Sequence, residues 1–297
     1  MENSLAVAVL GGLGAILGWG FADFFAKKTV DRIGELASLV WAHLFGTAIF
    51  FATALIAFAL TGNFITLPKT PHVWLGLVFF GSLQMIVYWL VYKAFSKGQL
   101  AVINPIFSSY SGLVALISII FFAEVLTGSI ALGLVIIFSG VLAMNTDLAG
   151  LRSRKLNLVP GLKEVVAAAL LAAIWTILWD RFVHGQNSLA YAMLMYMFMT
   201  IAAIVAAKAQ KVKLSPIESD LWKFLALIGL GEAIAYLSLS IGFSKTTYTS
   251  VVALISGSFA WPTVILAYIF LKERISRIQV AGVVLIILGI AIISLSY

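Results

Sequence analysis

The chain has 297 residues, of which 62% are hydrophobic and 10% charged, with a mean hydropathy of +1.09 and no cysteine. A water-soluble domain carries about 25% charged residues, so these figures exclude one and require an integral membrane protein; without cysteine there are also no disulfides or thiolate metal sites. The net charge of +7 reads as membrane topology and not as nucleic-acid binding, because the basic residues sit in short loops beside apolar runs.

The first apolar run, 5–26, has no basic segment before it and continues into "FADFFAKK". It reads as a retained span and not a cleaved signal peptide. Its glycines at 11, 12, 14, 18 and 20 allow close helix packing; with no strand before them and no lysine after, they are not a nucleotide loop. Further spans are predicted at 36–60, 73–95, 100–123 and 127–145. The longest connection, 145–161, is followed by spans at 161–181, 189–207, 221–243, 248–271 and 276–296, each long enough to cross as a helix. The fold expected is all-α, with ten transmembrane helices and no soluble domain.

The two halves share a pattern. Phe95-Ser96-Lys97 matches Phe243-Ser244-Lys245 at an offset of 148, and Glu124, Gly133 and Gly140 match Glu273, Gly282 and Gly289 at 149. Trp19 and Trp175 link the first helices of each half more weakly. The expected organisation is a first five-helix repeat over 1–147 and a second over 158–297. Five is odd, so the second repeat enters the membrane upside down, the plan of many secondary carriers with a midplane site between the halves. Lys69, Arg181 and Lys245 fall on one side, leaving sixteen of the nineteen Lys and Arg residues on the other. The positive-inside rule then places both termini outside the cytoplasm.

The motif "WGFADFFAKK" and two glutamate-then-glycine signatures, "FFAEVLTGSIALGLVIIFSGVL" (121–142) and "IFLKERISRIQVAGVVLIILGI" (269–290), resemble the drug/metabolite transporter superfamily in its EamA-like ten-helix branch. The resemblance covers nearly the whole chain. It implies a substrate carrier with a central cavity, working by alternating access, and it places the termini in the cytoplasm, opposite to the charge count.

Polar residues inside the spans are the candidate site. Glu232 is the one acid in the middle of its span, roughly 16 Å from either end at 1.5 Å per residue, about the centre of a bilayer core roughly 30 Å thick. Its repeat mate is Gln84. Gly81, Gln84, Tyr88 and Tyr92 form one helical stripe, and Gly229, Glu232, Tyr236 and Ser240 another, and the two are expected to face each other. Desolvation suits Glu232 to carrying a proton; the plainer alternative is interhelical glue through a hydrogen bond to Gln84 or a tyrosine. His43 is the histidine well inside a span, able to titrate with Glu232 or to serve structure alone. Asn104-Pro105 and Trp261-Pro262 mark helix interruptions at non-matching repeat positions, so each half is expected to bend differently. Trp19, Trp175 and Trp261 are candidate cavity walls or packing aromatics. Asp23 and Asp180, near span ends beside Lys27 and Arg181, read as interfacial charges, and Glu124 and Glu273 as caps of the helices that follow them.

These readings predict a gradient-driven carrier of a small organic solute in the cell membrane, with substrate or proton binding at Glu232, Gln84, Tyr236, Tyr88, His43, Trp19, Trp175, Asn104 and Trp261. No cofactor or metal is expected, and the partners are the substrate and the lipid bilayer; a homodimer is compatible with the sequence. A hydrolase or transferase lacks a dyad, an HExxH motif or paired intramembrane aspartates. A channel, or a structural membrane protein without carrier activity, is the remaining alternative, and a channel would show a polar stripe through all depths.

Overall fold

A computed structural model describes residues 2–122, 126–145, 160–214 and 217–295. Glu124 and residues 146–159 of the longest connection lie outside the described residues. The first half contains α1 (Glu2–Ile33), α2 (Glu35–Thr61), α3 (Pro71–Lys97), α4 (Leu100–Phe121) and α5 (Gly128–Asn145). The second contains α6 (Leu162–Val183), α7 (Ser188–Ala209), α8 (Leu221–Lys245), α9 (Thr249–Leu271) and α10 (Arg277–Ser294). Eight of these are long and apolar enough to cross a membrane, and α5 and α10 are apolar helices of 18 residues.

Helix α1 runs well past the predicted end at 26. Its last turns are amphipathic, with Lys27 bonded to Asp31 at 2.9 Å along one face, a favourable i,i+4 pair. Gly34, at φ 80°, then turns the chain into α2, a conformation open to glycine without steric cost.

The repeats meet about an approximate two-fold axis, and residues related by the repeat touch one another. Thr47 of α2 and Thr200 of α7 share a hydrogen bond of 2.7 Å. In α5 and α10, Gly133 faces the carbonyl of Gly289 while Gly140 faces that of Gly282, which makes the two helices antiparallel. Gly81 of α3 meets α7 at Met195 and Met199, and its repeat mate Gly229 of α8 meets α2 at Ala42 and Gly46. The first-span glycines pack as expected: Gly11, Gly14 and Gly18 lie against Ser238, Gly242, Gly231 and Ala235 of α8. Small residues at such crossings let backbones approach where lipid supplies no hydrophobic drive. Outward side chains such as Leu10, Leu55, Leu75 and Leu170 are exposed and form the lipid-facing surface.

Helices α4 and α9 each break near the middle, at Ser109 and at Ser258–Phe259. These positions match in the repeat, contrary to the expectation of different bends. Pro105 precedes its break and Pro262 follows its own, so the prolines differ where the breaks do not. Local hydroxyls serve both breaks: Ser109 bonds the carbonyl of Ile106 at 2.7 Å and Ser258 that of Leu254 at 2.7 Å, a back-bonding that bends helices. Pro105 has no N–H to offer the carbonyl of Ala101, which instead accepts from Nε2 of Gln279 in α10 at 3.2 Å.

Glu273 does cap a helix, but not the one that follows it. Lys272 takes a left-handed conformation at φ 58°, and Glu273 reaches back to accept from the N–H groups of Leu100 at 3.1 Å and Ala101 at 2.7 Å. The first turn of α4 has no side-chain cap of its own, whereas Ser276 and Gln279 form a capping box on α10. Replacing Glu273 with Ala orphans two N–H groups at the positive end of α4 and is expected to cost about 1–2 kcal/mol, read as a lower melting temperature in detergent.

Outside the membrane segments, Arg32 clasps Asp220 at 2.6 Å and also Glu218. The Arg32 hydrogen bond holds the Asp220 carboxyl below the usual carboxylate range. The clasp is therefore complete above the ordinary aspartate pKa and loosens only as pH falls through the lowered value.

Candidate functional site

Glu232 is 1% exposed, halfway along α8. The hydroxyl of Tyr196 in α7 donates to its Oε2. Nε2 of His43 in α2 approaches the same oxygen at 3.2 Å, though neither ring nitrogen has an aligned hydrogen-bond partner. Oε1 of Glu232 and the hydroxyl of Tyr92 are buried without one as well. The sequence reading missed Tyr196. The signal was available: an offset of 153 pairs His43 with Tyr196 and Thr47 with Thr200, extending the repeat to the second helices.

The facing stripes do meet, one turn away from where they were expected. Gln84 bonds Tyr236 through Nε2 at 2.7 Å and does not bond Glu232. Tyr88 and Tyr236, themselves repeat mates, lie with ring centroids 6.3 Å apart. Trp19 meets Tyr236 edge-on at 5.4 Å, and Trp175 meets the same ring at 6.1 Å while its Nε1 donates to the carbonyl of Phe80 at 3.0 Å. Tyr236 is thus the hub between the Glu232 cluster and a central cavity.

Trp19, Asp23, Gln84, Tyr88, Tyr110 and Trp175 are among the residues lining that cavity, with Thr176, Phe107 and Phe259. It leaves room of about 10 Å³ for water-sized occupants, the space of roughly one water. Trp261 is half-buried and does not line it, and its Nε1 has no partner.

Two aspartates stand elsewhere than their sequence positions suggested. Asp23 is 4% exposed; because α1 continues to Ile33, it lies inside the bundle and not at an interface, where Asn104 of α4 donates to its Oδ2 at 2.6 Å. Asp180 is also buried and accepts from Thr249 at the start of α9 at 3.0 Å, so it lies at the positive end of a helix and is not solvated. Arg181 stacks its guanidinium 3.8 Å from the Phe122 ring. Among the described residues no group of three or more His, Cys, Asp or Glu is placed to hold a metal ion.

Two inverted five-helix repeats, closed around a central cavity with a buried acid in its lining, define a membrane protein built as a solute transporter. A family model described as the EamA-like transporter family matches residues 6–146 and 160–295. The chain belongs to that family, and is a membrane transporter of the drug/metabolite type. No curated protein sequence matches the chain at a significant level. A solved structure titled "Crystal structure of protein" is similar with a TM-score of 0.71 and 18% identity, over 98% of this chain and 97% of that one; the likeness shows the shared fold.

Proposed function

We propose that this transporter is a secondary carrier moving a small organic solute across the cell membrane by alternating access, with Glu232 as the coupling-proton site. The observation that supports it is the Glu232–His43–Tyr196 cluster, fully buried halfway along α8 and joined through Tyr236 and Gln84 to the cavity wall.

Alternating access needs two gates, and both ends of the bundle carry related closures. On the basic side, Lys27 donates to the carbonyl of Phe95 at 2.6 Å and Lys97 pairs with Glu164. On the other, Nδ1 of His184 lies 3.2 Å from the carbonyl of Phe243, the repeat mate of Phe95, and Ser188 bonds Ser244. With so little room between them, the conformation is read as occluded, and one set of bonds must part to admit a solute. The charge asymmetry supports the basic side as the cytoplasmic one.

The test is flux in proteoliposomes loaded with a pH-sensitive dye and challenged with panels of amines, amino acids, sugars and nucleosides, with and without a pH gradient. Saturable uptake with counterflow is expected for at least one class. Linear, non-saturable flux without counterflow identifies a channel and overturns the carrier reading.

A further inference from the structure

Among the described residues, the cavity is lined by one carboxylate, Asp23, and by no lysine, arginine or histidine. Asn104 holds Oδ2 of Asp23, and no donor among the described residues reaches Oδ1. Asp23 lines the cavity, as does Gln84. The amide of Gln84 is pinned by the bond from its Nε2 to Tyr236, which leaves Oε1 buried and without a partner. Oδ1 of Asn104 is in the same state. The one basic residue a helical turn from Asp23, Lys27, is turned away, with Nζ bonded to Asp31 at 2.9 Å and to the carbonyl of Phe95 at 2.6 Å. Among the donors, Nε1 of Trp19 is buried without a partner, and the hydroxyls of Tyr88 and Tyr110 also belong to residues lining the cavity.

Buried polar groups left unpaired are costly, and a carboxylate in a cavity without a basic residue is complementary to a cation. Asp23 with the Gln84 amide oxygen and aromatic walls matches an organic ammonium, whose N–H groups donate and whose charge rests against ring faces. A hard metal ion would need six or more oxygens. A quaternary ammonium has no N–H and would leave the Gln84 amide oxygen unpaired. We propose that Asp23, held by Asn104 from behind the lining, forms with the amide oxygen of Gln84 an acceptor subsite for the primary ammonium of an organic solute whose apolar part lies along Trp19 and Tyr110. The proposal rests on the carrier reading, and it gives two buried acids different roles: Asp23 meets the solute, and Glu232, which does not line the cavity, carries the proton.

The experiment is a binding titration of the full-length protein in detergent, followed by tryptophan fluorescence, because Trp19 and Trp175 line the cavity. The probes are 2-phenylethylamine, its N-trimethyl derivative and 2-phenylethanol. The wild type is expected to bind the amine about tenfold or more tighter than the other two, the difference a charge-assisted hydrogen bond makes. Asp23→Asn is expected to lose that preference while keeping its weak affinity for the alcohol, and Asp220→Asn, at the surface clasp with Arg32, to retain it. Equal binding of amine and alcohol by the wild type, or no saturable amine binding, overturns the proposal without reliance on any variant. So does a folded Asp23→Asn that keeps the preference. Saturable flux of another solute without amine binding sinks this inference alone, and amine binding without saturable flux sinks the carrier reading alone.

Discussion

Glu232→Gln is expected to reduce pH-driven flux to the level of protein-free liposomes while leaving a folded, monodisperse protein. The substitution gives α8 the amide that its repeat mate Gln84 already carries in α3, so size and shape are kept. The Tyr196 hydroxyl retains an acceptor, and His43, which makes no aligned hydrogen bond to Glu232, loses none. What disappears is the group able to take up and release a proton within the membrane, beside the wall formed by Gln84, Tyr88 and Tyr236. A structural role predicts the opposite pattern, in which Gln suffices and flux keeps its full dependence on the gradient. Dye-reported flux at matched protein density separates the two, and retention of full proton-driven flux excludes Glu232 as the coupling site.

The second large effect is expected at the crossing of α1 and α8. A Cβ added to Gly18 would sit 2.3 Å from the carbonyl oxygen of Gly231, and one added to Gly231 would sit 2.5 Å from that of Gly18. Both obstacles are backbone atoms, so no rotamer change relieves them and the helices must separate. Gly18→Val should therefore destabilise by about 3 kcal/mol or more, at the upper end of overpacking costs, and abolish the sharp size-exclusion peak or lower its melting temperature markedly. Gly128→Ala is the matching control, since an added Cβ there meets nothing within 4 Å, and it should leave stability unchanged. If Gly18→Val behaved like the control, close packing would not be what holds these helices together.

Much of the architecture was legible because a bilayer imposes a simple rule: each segment crossing it must be long, apolar and internally hydrogen-bonded. That rule, and the odd number of helices per repeat, led from sequence to ten helices in two inverted halves. The same repeat logic pointed to Gln84, Tyr88, Glu232 and Tyr236 as one cluster. It did not reach Tyr196, because apolar second helices resemble one another too weakly to align by eye. It also placed Asp23 at an interface, because the amphipathic end of α1 reads as a loop when hydropathy alone decides where a span stops.

Sequence by itself determined the solvent, the helix count, the repeat and the presence of an acid at the membrane centre. Those follow from composition and spacing, which are local properties of the chain. Tertiary structure alone decided which partners the polar groups chose. Glu232 went to Tyr196 and His43, Gln84 to Tyr236, Asp23 to Asn104, and Glu273 to the start of α4 instead of α10. Each pairing joins different helices and depends on how they are rotated and where they cross, which for α1 with α8, α3 with α7 and α2 with α8 is at glycine contacts. A one-turn slip between two helices would exchange the partners across that crossing without changing the hydropathy of either.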